Sequence, residues 1–63
     1  MVEVIVERWS SFGGSVDYRW SVWQDGKRVQ MGGPHADADT SEADALSFCD
    51  KALRARPDRV TRL

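Results

Sequence analysis

The 63-residue chain has one cysteine, one histidine and two prolines, and each scarcity removes a class of answers. Cys49 alone cannot close an intrachain disulfide or furnish a four-cysteine zinc site, so a reduced, cytoplasmic setting is expected. His35 has no second imidazole to share a metal with. His35, Asp37 and Asp39 also lack the glycine and the distal glutamate of an EF-hand loop, so no metal and no cofactor are expected. Neither Gly13-Gly14 nor Gly32-Gly33 leads into a helix through Lys-Ser or Lys-Thr, which excludes a phosphate loop. No apolar run approaches the ~20 residues that cross a bilayer. Acidic Glu3 and Glu7 interrupt the amino-terminal apolar stretch, which reads as neither signal peptide nor membrane span. An excess of one charge is missing as well. Nine basic residues face ten acidic ones, a net charge of −1, which argues against general polyanion binding. No nucleophile, base and orienting group stand together, so no enzyme is expected.

What is present is a hairpin. In Val16–Met31, the pair Asp25-Gly26 suits a two-residue type I′ turn, which needs positive φ at both central positions. That turn sets Gln24 opposite Lys27 and Trp23 opposite Arg28. Continued without a break, the register sets Val22 opposite Val29, Ser21 opposite Gln30 and Trp20 opposite Met31. Apolar then meets apolar on one face and polar meets polar on the other, as expected for a sheet buried on one side.

Before the hairpin, Val2, Val4 and Val6 alternate with Glu3, Ile5 and Glu7, the period of a half-buried strand over about 2–9. Consecutive strands usually pair, so strands at about 2–9, 16–24 and 27–32 are expected to form an antiparallel meander. Gly32–Ala38 breaks both periodicities and reads as a loop. Asp39-Thr40-Ser41-Glu42 matches a capping box, opening a helix over about 40–55 that Pro57 ends. Ala45, Leu46, Phe48, Cys49, Ala52 and Leu53 share one arc of that helix. The expected fold is α+β: one βββα domain over residues 1–56, two layers, one helix on a three-stranded sheet. Residues 57–63 form a tail that is either disordered or added to a sheet edge.

One helix leaves the second sheet face uncovered. Parity places Glu3, Ile5, Glu7 and Trp9 there, with Arg19, Ser21, Trp23, Arg28 and Gln30. Exposed apolar patches mark interaction sites, and Trp and Arg are enriched at binding hot spots. The candidate partner-binding residues are therefore Trp9, Arg19, Trp23, Arg28 and Gln30. Two blander readings compete: Trp23 and Arg28 form a cation–π pair that only steadies the hairpin, or a bulge in the first strand turns Trp9 inward. Charge polarity along the chain suggests a second function. Asp37, Asp39, Glu42, Asp44 and Asp50 precede Lys51, Arg54, Arg56, Arg59 and Arg62, which reads as a basic nucleic-acid tail or as charges complementing the helix dipole.

From Tyr18 to Ala55 the order is Tyr-Arg-Trp-Ser-Val-Trp, Asp-Gly, a short third strand, a Gly-rich turn, and Ser-Glu-Ala opening a helix. It resembles the arm-type DNA-binding domain at the amino end of tyrosine integrases, YegP-like domains, and short uncharacterised bacterial or phage proteins. The integrase resemblance implies that Arg19, Trp23, Arg28 and Gln30 enter a DNA major groove; the basic run adds Arg54, Arg56, Arg59 and Arg62 to the nucleic-acid alternative. Glu3 and Glu7 on that face depart from it. The leading expectation is a protein-binding module, a homodimer or an accessory subunit. Nucleic-acid binding is the alternative.

Overall fold

A computed structural model describes residues 1–63. The chain runs β1 (Val2–Ser10), β2 (Val16–Gln24), β3 (Lys27–His35), α1 (Ala38–Phe48), one π-helical turn (Cys49–Leu53) and β4 (Arg59–Arg62). The sheet order is β3-β2-β1-β4, so the expected three-stranded meander is a four-stranded sheet with one helix on one face. No helix is long and apolar enough to cross a membrane.

β1 and β2 pair antiparallel without interruption, from Val2↔Gln24 to Ser10↔Val16. The alternation read from Val2, Val4 and Val6 is kept: all three are buried, and Glu3, Ile5 and Glu7 are half-buried. There is no bulge in β1, so Trp9 is not turned inward. At the hairpin, Asp25 (φ 52°) and Gly26 (φ 82°) take the left-handed conformations of the expected turn.

The hairpin register departs from expectation after two pairs. Gln24↔Lys27 and Trp23↔Arg28 hold, and then a bulge leaves Val29 unpaired. The next pairs are Val22↔Gln30, Ser21↔Met31 and Trp20↔Gly32. The cause lies under Trp20. A Cβ added to Gly32 would sit 2.5 Å from the indole ring, so only glycine fits where that ring lies. The unbroken register would have put Met31 there. β3 also runs beyond the expected residue 32 to His35. It is an edge strand, so Pro34 forfeits no ladder bond on its outer side.

The helix starts two residues earlier than the capping box suggested. Asp37, in extended conformation (φ −145°), is the N-cap, and its Oδ1 accepts from the Thr40 N–H at 2.6 Å. That bond holds the Asp37 carboxyl below its ordinary value. Ser41, Ala45 and Cys49 form the inward row, one turn apart and all buried, flanked by Ala38, Phe48 and Leu53. The helix widens into its π turn at Cys49 and ends at Arg54 in left-handed conformation (φ 51°). With the arc displaced, Leu46 and Ala52 face outward rather than into the core.

The carboxy-terminal residues form β4, parallel to β1, from Glu3↔Arg59 to Val6↔Arg62. Asp58 starts this pairing twice over: its N–H donates to the Val2 carbonyl (2.7 Å), and its Oδ2 accepts from the Val2 N–H (2.8 Å). Arg62 then reaches the helix, donating to Asp39 (2.7 Å) and Glu42 (3.0 Å). Both carboxylates of the expected capping box thus serve as a clasp for β4. They also hold the Arg62 guanidinium more firmly charged than usual.

The core is a single cluster of Val2, Val4, Val6, Trp20, Val22, Ala45 and Cys49 between sheet and helix. Trp20 packs against Phe48, ring centroids 5.9 Å apart, and its indole N–H donates to Asp44 Oδ2 (3.0 Å). The same oxygen meets His35 Nε2 at 3.0 Å. These two contacts, His35 first, hold the Asp44 carboxyl below its ordinary range. His35, Asp37 and Asp39 thus have three separate partners and do not converge on one point.

Candidate interaction face of the sheet

Every apolar residue of the core lies on the helix side, so the opposite face is built from what the alternating strands leave over. β4 contributes Arg59 and Thr61, β1 contributes Glu3, Ile5, Glu7 and Trp9, and β2 contributes Asp17, Arg19, Ser21 and Trp23. β3 adds Arg28 opposite Trp23 and, beyond the bulge, Met31 opposite Ser21.

Two tryptophan–arginine pairs organise this face. The Arg19 guanidinium lies 4.8 Å from the centroid of the Trp9 ring, and its Nε donates to Asp17 (3.1 Å). The Arg28 guanidinium lies 6.0 Å from the Trp23 centroid, at the outer limit of a cation–π contact. Trp23 lies along the sheet rather than standing off it: its Nε1–H donates to Ser21 Oγ at 2.9 Å, and Ser21 is buried beneath it. The middle of the face is therefore apolar, made of the Trp23 ring, Ile5 and Met31. Trp9 remains 48% exposed and Met31 55% exposed, with no element of the chain above them. Around this centre the charges balance, Arg19, Arg28 and Arg59 against Glu3, Glu7 and Asp17. Arg59 stands 3.9 Å from Glu3.

Of the expected binding residues, Trp9, Arg19, Trp23 and Arg28 come together here. Gln30 does not, because the bulge aligns it with Val22 on the helix side. Met31 takes its place on this face, and no feature of the sequence announced the exchange. Asp17 also lies on this face, as its parity with Arg19 requires.

The arginines of the nucleic-acid reading are dispersed. Arg54 caps the helix, Arg56 lies in the bend after it, Arg59 is on the open face beside Glu3, and Arg62 is held by Asp39 and Glu42 on the helix side. Arg62 is thus already engaged by two carboxylates, and this set presents no common surface to a phosphate backbone.

Two further features bear on chemistry. Cys49 is buried in the core, and desolvation pushes its thiol above the ordinary value, the opposite of an activated nucleophile. A hollow of about 410 Å³ lies where the helix meets the following bend, lined by Leu46, Asp50, Ala55, Arg56 and Pro57. It holds one acid, one base and no nucleophile or imidazole. No protein-family model, no curated protein and no solved structure matches this chain.

Proposed function

We propose that this chain is a non-catalytic interaction module that binds a protein surface through the helix-free face of its sheet. One observation carries the reading: Trp9 and Trp23, each beside an arginine, share with Ile5 and Met31 a sheet face that no part of the chain covers. Such a patch, apolar at its centre and charged at its rim, has the anatomy of a binding surface, and Trp and Arg are the residues on which binding energy concentrates. Nucleic acid is the weaker reading. Phosphate binding draws on net positive charge, whereas here three cations are matched by three anions and Arg62 is spent on the helix.

Site-specific photo-crosslinking tests this directly. A photoreactive residue at Met31, in the open face, is expected to give protein adducts in cells. The same residue at Ala43, exposed on the helix, is expected to give few. Equal labelling from both positions, or none from Met31, contradicts the assignment.

A further inference from the structure

We infer that the occupant of the open face is a second copy of this chain, packed sheet on sheet about a two-fold axis that runs along the strands between β1 and β2. The inference rests on the reading of that face as a binding surface and adds the identity and pose of the partner.

Charge placement selects the pose. On this face the glutamates stand on β1 (Glu3 and Glu7), while Arg19 and Arg28 stand on β2 and β3. A two-fold axis along the strands lays β1 of each copy over β2 of its mate and preserves position along the strand. Because Glu7 and Arg19 face each other within one sheet, the mate sets its own Arg19 over Glu7 and its own Glu7 over Arg19. The result is an alternating quartet. The same operation brings Glu3 over the mate's Trp23, one strand away from the mate's Arg28, and Trp9 over the mate's Asp17. Trp9 Nε1 is the one indole N–H with no acceptor in the fold, since Trp20 donates to Asp44 and Trp23 to Ser21. The alternative axis, across the strands, would bring Glu3 over the mate's Glu7. Arg28 and the mate's Arg59 fall at the rim, where Trp23 and Glu3 already attend them.

Size agrees. The molecule measures 37 × 20 × 15 Å, so its broad side offers a footprint of at most about 740 Å² (37 × 20). A standard interface buries about 800 Å² per partner. Face-to-face sheets pack within about 30° of alignment, so the quartet next to the centre keeps its register despite the twist. Pairing would also give a chain of this size a second core layer, a remedy common among small domains.

A charge exchange across the quartet tests the inference. Glu7→Arg makes the quartet position wholly basic in one variant, and Arg19→Glu makes it wholly acidic in another. The wild type is expected to approach twice its monomer mass in sedimentation equilibrium. Each variant alone is expected to lose at least about tenfold in self-affinity, and an equimolar mixture to form the mixed dimer at wild-type affinity or better. If either exchange disturbs the fold by circular dichroism, Glu7→Gln and Arg19→Gln take its place, each expected to weaken association. A wild type that stays monomeric to millimolar concentration overturns the second-copy inference, while crosslinks from Met31 to a protein of another mass would leave the binding face itself standing. A dimer indifferent to all four substitutions, or variants that fail to associate when mixed, overturns the pose.

Discussion

Replacing Trp20 with alanine is expected to remove a large share of the protein's stability. A chain of this length is worth roughly 3–9 kcal/mol of stability in total, and Trp→Ala in a core costs about 3–5 kcal/mol. Trp20 is the only large side chain among the seven core residues, the others being Val, Ala and Cys. It touches every layer: Gly32 of β3 beneath its ring, Phe48 of the helix against it, and Asp44 at its N–H. Its loss opens a cavity that four valines cannot close, and it strands the Asp44 contact. Trp20→Phe separates these effects. It keeps most of the packing and removes only the N–H···carboxylate bond, so it is expected to cost much less, near the ~1.5–3 kcal/mol of a hydrogen bond to a charged group. The lower end applies because Asp44 is half exposed to water. Urea unfolding followed by circular dichroism measures both variants. A Trp20→Ala protein that unfolds with a near-wild-type midpoint would show that the core is organised elsewhere.

Gly32→Ala is the second large effect, and its sign depends on its neighbour. In a strand interior alanine ordinarily stabilises over glycine by roughly 0.5–1 kcal/mol. Here the new Cβ would meet Cζ2, Cε2 and Nε1 of Trp20 at 2.5, 2.6 and 2.8 Å. Relief requires the ring to lift and to pull its N–H from Asp44, and overpacking of this kind costs about 1–3 kcal/mol. In a Trp20→Leu background the obstructing ring atoms are gone, so the same Gly32→Ala change is expected to be neutral or stabilising. That reversal, a coupling of about 2–3 kcal/mol in a double-mutant cycle, is the signature of direct contact. Additive effects would mean that Gly32 is needed for its backbone alone.

The same contact explains where sequence reasoning held and where it failed. The valine alternation in β1, the Asp25-Gly26 turn and the first two hairpin pairs follow from local rules of period and turn geometry, and they hold. The rest of β3 does not obey a local rule. Trp20 demands space on the facing strand, the nearest residue without a side chain is Gly32, and the chain shifts by one residue at Val29 to supply it. That choice is visible only in three dimensions, and it is why Met31 rather than Gln30 belongs to the open face. The helix start failed for a different reason. Asp37 and Asp39 are chemically equivalent caps, and the tie is broken by Arg62, which lies far away in sequence and draws Asp39 and Glu42 to itself. β4 was hidden by brevity: four residues carry too little pattern, and its place depends on Asp58 meeting the Val2 backbone. The open face, by contrast, was largely legible, because parity alone assigns Trp9, Arg19 and Trp23 to it.

Fluorine NMR of protein labelled with 5-fluorotryptophan tests the central claim most directly, since the three tryptophans divide between the two faces. Spectra recorded from the lowest observable concentration upward are expected to show the Trp9 and Trp23 resonances shifting together as the open face is covered, while Trp20, enclosed between sheet and helix, stays fixed. Association that moves none of the three, or that moves Trp20 alone, would place the contact elsewhere and contradict the assignment of this face.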